Sequence, residues 1–567
     1  VIRGWGASVF TKTVHRIIAP VLHTEESWKP NPTPLLLVPL AALIALSEYL
    51  AFNRIFQVDE LQYVYTARLL ATGEAGRYAA SANLMLLGPM TWIAGLIDTS
   101  ALLLRTERLL FFAVFWVNLC LIVRCAGFRL RSRAGVAALL IVGTIAPLWD
   151  YGFEMRHETP LLTVVLLAWL FARPLAPDAR RHLVAVGFLA AIGQFLAFKA
   201  FVYLVPVALF AVVAAVWEEK RSVVRSIAAL LAGGVGGFVT AATMHLLAGT
   251  WSFYSSDTKA MTNTVAHAQR FPSRPLFERA LTEAPLLAIL IVFAIMIALR
   301  HASLRTAVSR ESMLPELAFF AGAVVAILAN PTPFPYNMVL LVPQATIVCL
   351  RLWPFAWLSR RRLALGTLLV LHLLLWANAT ARHLFMSNAR QTRLMSTAEE
   401  LTDAKQHAVL DGAGLVPTRH PPGRNWLIHT FTIRAFLDGT FPPIRAQLAE
   451  GKTPVIIPNY RISWLSIADK KYIRQHYFPL AGDFLVAGAS LAPGRTEWEC
   501  IVPGRYWVTK ELTIDGEQTR SNVVTLARGV HAIDSSAPAA VIWLGPRLDA
   551  PPMIGPGSSA TVFVNWY

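Results

Sequence analysis

Long apolar runs recur along the first two thirds of the chain, with short polar segments between them. Runs at 35–52, 107–124, 134–149, 159–172, 183–198, 200–217, 226–247, 286–299, 314–330, 336–350 and 363–381 predict eleven helices of the kind that cross a bilayer. A straight crossing takes ~20 apolar residues, so the ends of the shorter runs, and the total, stay open. The segment 84–97 is apolar but short, and reads as a helix lying at the surface. No stretch combines a basic start, a short apolar centre and a small-residue cleavage site. The first run, 35–52, therefore reads as a retained helix behind a basic segment with Lys12, Arg16 and Lys29.

Charge in the connections gives the threading a direction. Arg124, Arg129, Arg131 and Arg133 fall in one connection, and Arg173, Arg180 and Arg181 in the next but one. Lys220, Arg221 and Arg225, then Arg300, Arg305 and Arg310, then Arg351 and Arg360 to Arg362 continue the alternation. The positive-inside rule makes that face cytoplasmic. The other connections (53–106, 150–158, the corner at Lys199, 248–285 and 331–335) are longer or more mixed, with Trp, Tyr and acidic residues. They are expected to face the periplasm, and an odd number of crossings puts the C-terminal region there too.

From about residue 382 the long apolar runs stop. "KTPVIIPNYRISWLSIADKKYIRQHYFPL" reads as a buried strand, a loop and a helix, and short alternating strands follow from about residue 499. Asp515-Gly516 predicts a tight hairpin turn. The expected fold class is a polytopic α-helical membrane protein with a C-terminal periplasmic α/β plus β-sandwich-like region. The expected domains are 1–385 (transmembrane, with juxtamembrane helices in 53–106), 386–495 (α/β) and 496–567 (a small β-sandwich-like part).

Composition agrees. The 567 residues are 55% apolar and 15% charged, against about 25% charged in an average soluble protein. The net charge of +17 sits in short clusters between apolar runs, where membrane topology places it. No nucleic-acid partner is expected. Cys120, Cys125, Cys349 and Cys500 show neither a disulfide framework nor paired metal spacing; no cofactor is required, and a divalent metal is possible but not indicated by spacing.

Against this background "FQVDELQYVYTARLLATG", residues 56–73, places Asp59 and Glu60 just after an apolar run. Periodicity predicts a helix over 59–72 stopped near Gly73. Val58, Leu61, Tyr65 and Leu69 share an apolar stripe expected to lie in lipid, and Asp59, Gln62, Tyr63 and Thr66 a polar one. Asp59 falls at the helix N-terminus, where the dipole favours a carboxylate. An ordinary cap explains that position equally well.

Asp59-Glu60, Tyr63, Ala67-Arg68 and Gly73, following the first apolar run, resemble the first external loop of GT-C membrane glycosyltransferases. Within that class the chain is similar to the protein O-mannosyltransferase and lipid A aminoarabinose transferase group. "RTERLLFFAVFWVNLCLIVRCAGFRLRSR" resembles the second crossing, opening with Arg108, and "YGFEMRHETPLL" the second external loop, with Arg156 and Glu158. "AAIGQFLAFKAFVYLVP" carries the outer-surface Lys199, and "NPTPFPYNMVLLVP" the late external loop with Tyr336 and Asn337. The His-Pro-Pro often found after the first helix is replaced by "SANLMLLGP".

The resemblance implies transfer of a sugar from a polyprenyl-phosphate carrier to an acceptor hydroxyl outside the cytoplasmic membrane. Such a donor already carries a good leaving group. The chemistry needs a base for the acceptor and cations for the developing phosphate charge. Asp59 is the expected base, with inversion at the anomeric carbon by analogy with one-step displacements. Arg156, Lys199 and Arg68 are candidate phosphate ligands; Glu158 orients them or touches the sugar; Glu60 supports the loop; Tyr63, Tyr336 and Asn337 line the cavity. Each has a plainer alternative: snorkelling for Lys199, pairing with Glu154 or Glu158 for Arg156, and a place in the interfacial aromatic belt for Tyr336. The loop 248–285, with His245 and His267 nearby, is a candidate lid. Expected partners are the lipid-linked donor, a glycolipid (lipid A foremost), polysaccharide or protein acceptor, and membrane lipids, with the protein a monomer. A transporter of lipid-linked sugars and a catalytically inert scaffold are the rival classes. Charges clustered at span ends, without matching halves, favour the enzyme.

Overall fold

The computed structural model describes residues 34–78, 84–172, 179–197, 199–218, 221–251, 254–255, 272–300, 314–330, 333–358, 362–428, 432–557 and 562–563. The chain divides into two compact units. One takes in Phe111–Phe153, His157–Arg382 and the chain up to Tyr49; the other takes in Leu50–Leu110, Glu154–Arg156 and His383–Tyr567.

Every apolar run predicted from the sequence is helical, although two are divided. The run 134–149 forms Arg133–Gly143 and Ala146–Tyr151. Between them Thr144 turns its hydroxyl back to the carbonyls of Leu140 and Ile141, both at 3.0 Å, and Pro147 opens the second helix. The run 336–350 forms a 3-10 turn, Pro335–Leu340, followed by the helix Val342–Leu358. Among the described residues four helices are long and apolar enough to cross a membrane: Leu36–Asn53, Ser100–Cys125, Val223–Leu247 and Gly366–Phe385. The pair Arg274–Glu283 and Pro285–Met296, bent by 96°, makes a fifth if it is one broken span. Other apolar helices, such as Arg133–Gly143 at 11 residues and Glu158–Ala172 at 15, are shorter than a straight crossing. The protein is a multi-pass membrane protein, and among the described residues fewer helices pass that length and composition test than the eleven runs suggest.

In the first unit, small residues set the closest helix approach. Helices Ala179–Leu196 and Val223–Leu247 meet along Gly187, Gly233 and Gly237. A Cβ at Gly187 would lie 1.9 Å from the Leu230 carbonyl oxygen, and one at Gly233 2.0 Å from that of Val184. Backbones this close are how helices associate where lipid removes the hydrophobic drive. Trp169 stacks on Phe319 at 4.2 Å and 3°.

The second unit is built on a seven-stranded sheet and a four-stranded sheet. Its strands are β1 (Val409–Leu410), β2 (Val455–Ile456), β3 (Tyr477–Ala481), β4 (Phe484–Leu491), β5 (Gly494–Cys500), β6 (Gly504–Val508), β7 (Thr513–Ile514), β8 (Glu517–Gln518), β9 (Val523–Leu526), β10 (Gly529–Ser535) and β11 (Ala539–Trp543). The larger sheet runs β1-β2-β4-β11-β6-β9, with β3 beside β4; the smaller runs β5-β10-β7-β8. Strands on either side of residue 495 share the larger sheet, because β11 pairs with β4. Asp515 and Gly516, with φ of 52° and 90°, close the β7–β8 hairpin as that dipeptide predicts.

The helix Val58–Ala71 belongs to this unit and ends before Gly73, whose φ is 75°. Its apolar stripe faces protein, correcting the expectation that it lies in lipid. Val58, Leu61, Tyr65 and Leu69 are all buried. Tyr65 packs on Trp426, ring centroids 4.4 Å apart, and its hydroxyl donates to the Arg419 carbonyl at 2.7 Å. The segment before the helix is pinned as firmly. Gln391 accepts from the Phe56 N–H at 2.7 Å and donates to the Phe56 carbonyl at 2.9 Å, and Asn388 donates to the Phe52 carbonyl at 2.9 Å. These bonds satisfy non-helical backbone that would otherwise be buried unpaired and fix where the acidic pair emerges.

Candidate functional site

In the second unit the acidic pair divides its roles. Glu60 is fully buried, and its carboxylate receives four donors. Arg108 binds it through Nε at 2.9 Å and through Nη2; the backbone N–H groups of Gln57 and Met155 donate at 2.8 and 3.1 Å. Gln57 is the N-cap and Glu60 the third helical residue, so the carboxylate closes a capping box. Arg108, also fully buried, donates through Nη1 to the carbonyl of Arg54 at 2.6 Å and through Nη2 to that of Ile55 at 3.1 Å. Arg54 pairs with Glu154 nearby. Burial pushes the Glu154 carboxyl above its usual range, and the Arg54 charge pulls it back. These groups form a strut in which both oxygens of Glu60 are engaged.

Asp59, one residue earlier, is 31% exposed. Arg156 reaches its Oδ2 through Nη1 at 2.8 Å, and Arg461 reaches its Oδ1 through Nη2 at 3.3 Å. Both guanidiniums are almost wholly buried. The second residue of a helix also feels the positive end of the dipole. The result is an accessible carboxylate framed by two fixed cations, which can accept a proton from, or orient, a polar ligand.

Tyr63 is half-buried on the same helix. Arg68 is engaged elsewhere: its guanidinium donates to the carbonyls of Ala94 and Ile97, the latter at 3.0 Å, and pairs with Asp98 at 3.1 Å. It anchors the connection after the helix Leu84–Ala94 rather than meeting the Asp59 group.

In the first unit Lys199 stands at the break between helices Ala179–Leu196 and Ala200–Glu218. Its ammonium donates to Glu158 Oε1 at 2.5 Å and to Asn337 Oδ1 at 2.8 Å, and lies 5.3 Å from the centre of the Tyr336 ring. Glu158 is buried and also faces His157 Nε2 at 3.0 Å. Asn337 is oriented by its own amide, which donates to the Phe334 carbonyl at 3.0 Å. The structure thus gathers four predicted residues, Glu158, Lys199, Tyr336 and Asn337, and supplies the pairing that a cation at such a place requires. Asp150, Tyr151, Arg279 and Glu283 make a second ionic group in this unit, with Arg279 Nη2 at 2.8 Å from Asp150 and its Nε at 2.8 Å from Glu283.

Of the candidate lid, residues 252–253 and 256–271, including His267, lie outside the described residues. His245 is buried, with Nδ1 at 3.0 Å from Thr250 Oγ1. Among the described residues no three His, Cys, Asp or Glu side chains gather to hold a metal ion.

Arg461 escaped the sequence reading. It lies 402 residues from Asp59, and no local spacing marks it. The one sequence cue is its place just after Asn459, a favoured cap residue, which does cap the short helix Tyr460–Ser463.

The fold is similar to that of a solved GT-C membrane enzyme. ArnT from Cupriavidus metallidurans in the apo state, a lipid A aminoarabinose transferase, superposes with a TM-score of 0.51 at 13% identity, over 80% of this chain and 98% of that one. The same protein bound to undecaprenyl phosphate gives 0.49 at 14% identity over the same shares. The archaeal oligosaccharyltransferase AglB from Archaeoglobus fulgidus, in complex with an inhibitory peptide and a dolichol-phosphate, gives 0.44 at 11% identity, over 88% of this chain and 76% of that one. No family model and no curated protein sequence matches the chain.

Proposed function

We propose that the protein is an inverting glycosyltransferase that moves a sugar from a polyprenyl-phosphate carrier to a hydroxyl of an envelope glycolipid such as lipid A, on the periplasmic face of the inner membrane. The observation that carries this reading is Asp59. It is the accessible carboxylate of the acidic pair, it is framed by Arg156 and Arg461, and it stands on a GT-C fold.

In the reaction, the acceptor oxygen attacks the anomeric carbon and its proton passes to Asp59. The bond from that carbon to the phosphate oxygen breaks, and the electron pair leaves with the lipid phosphate. Attack opposite the leaving group inverts the centre. No acid is needed to expel a phosphate, so positioning and charge supply most of the acceleration. A correctly placed base contributes about 10²–10⁴-fold. Glu60 takes no chemical part, because all its acceptor capacity is spent on the strut. In the first unit, Lys199 with Glu158, Asn337 and Tyr336 has the chemistry to bind an anionic lipid headgroup, and we assign it a phosphate-binding role.

The ArnT structure with undecaprenyl phosphate and the AglB structure with dolichol-phosphate set the choice of lipid probe. The test is mass spectrometry of envelope lipids from cells with and without the gene. A glycoform present only with the gene identifies sugar and acceptor together. Identical lipid, polysaccharide and protein glycoforms in the two strains would remove the enzyme reading.

A further inference from the structure

Arg461 is built into place with more care than a surface ion pair requires. Its backbone N–H donates to Asn459 Oδ1 at 2.9 Å, and Asn459 is itself held by donating to the Asp411 carbonyl at 2.7 Å. Its Nη1 donates to the Ile428 carbonyl at 2.8 Å, which leaves Nη2 aimed at Asp59. Its Nε–H is buried without an acceptor among the described residues. Arg156 approaches the other oxygen of Asp59. Two buried guanidiniums, one with an unmet donor, thus converge on one accessible carboxylate. A carboxylate has two oxygens for such a pair; the phosphodiester of a lipid-linked sugar brings the same single negative charge on two non-bridging oxygens and suits forked donors well.

The geometry points to Asp59 as the resident anion of an arginine pair whose ligand is the phosphate of the lipid-linked donor. The phosphate takes over Arg156 and Arg461, and the released carboxylate becomes the acceptor of the hydroxyl proton. This inference rests on the donor class proposed above. It adds that Arg461, from the C-terminal part of the chain, is a phosphate ligand, and that donor binding releases Asp59 from its two arginine partners. Before the donor arrives, both oxygens of Asp59 are occupied by guanidinium hydrogens. Afterwards the two arginines neutralise the charge that grows on the leaving phosphate, and the proton moves to Asp59 as the bond to the anomeric carbon forms.

The test is equilibrium binding of undecaprenyl phosphate to the full chain in nanodiscs, with thermal unfolding as a folding control. Arg461→Gln and Arg156→Gln are expected to weaken binding about tenfold or more, the worth of a charge-assisted hydrogen bond. Asp59→Asn is expected to tighten it several-fold, because the competing anion is gone. Arg461→Lys keeps the charge but loses the fork, and is expected to fall between. Inorganic phosphate, used as the headgroup without its lipid, is expected to bind more weakly with the same order of variants. If Arg461→Gln does not fold, Arg461→Lys and Asp59→Asn carry the test. Weaker binding in Asp59→Asn, or unchanged binding in the Arg461 variants, overturns the exchange while leaving the donor assignment standing. A natural chain that does not bind undecaprenyl phosphate at all overturns the donor assignment itself.

Discussion

The pocket around Glu60 and the surface around Asp59 begin from adjacent residues of one helix and end in opposite circumstances. Glu60 has no contact with solvent and four donors, two from Arg108 and two from backbone. Asp59 keeps nearly a third of its side chain exposed and meets Arg156 and Arg461. Both carboxylates have arginine partners, so pairing alone does not separate structural from chemical roles. What separates them is whether accessible acceptor capacity remains. A saturated buried carboxylate is bound into the fold; a framed and open one can exchange partners.

That contrast can be broken by substitution. Glu60→Gln leaves buried Arg108 without its directly paired carboxylate and is expected to cost about 3–5 kcal/mol, read as a large loss of thermal stability in detergent. A natural melting temperature in that variant would erase the difference between the two regions. Lys199→Ala removes the cation from the buried Glu158 and is expected to cost about 1–3 kcal/mol. Adding Glu158→Gln should recover part of the loss if the two act as one unit, as a double-mutant cycle of melting temperatures would show. Arg68→Ala, which frees the connection at 94–98, is expected to cost about 1 kcal/mol and to leave undecaprenyl phosphate binding unchanged. A binding defect there would return Arg68 to the phosphate ligands.

The smallest expected effect lies far from the acidic pair. Burial lowers the proton affinity of His531, but its hydrogen bonds to the Ala527 carbonyl and to Asp515 outweigh that and raise it. A raised histidine stabilises the fold below the unfolded value of about 6.5, and the contribution fades as pH rises through the folded one. Asp515→Asn should flatten that pH dependence of the melting temperature without touching binding.

Local signals carried much of the fold. The helix starting beside Asp59 and its stop at Gly73 are written in a short window, as is the turn at Asp515-Gly516. The helical runs were legible because apolar composition is a strong signal, but breaks such as Thr144-Ile145 depend on one hydroxyl and one proline. The stripe of Tyr65 and Leu69 looked ready for lipid, since periodicity reports an apolar face without saying what covers it. Trp426 covers it, from more than three hundred residues away. The same distance problem hid Arg461. Strands β1 and β2, two residues each, are too short to carry a pattern. The link between Lys199 and Glu158 was suggested by the family resemblance and by the cost of a lone lysine between apolar runs; the bond from Lys199 to Asn337, 138 residues away, was not.

The central claim is that the carboxylate of residue 59 primes the acceptor. Its most direct test is sugar transfer by Asp59→Asn, measured as the glycoform that distinguishes cells with the gene from cells without it, in protein shown to fold and to bind undecaprenyl phosphate. The account predicts that this glycoform falls by at least about a hundredfold while binding persists. A glycoform made at the natural level by that variant would contradict it.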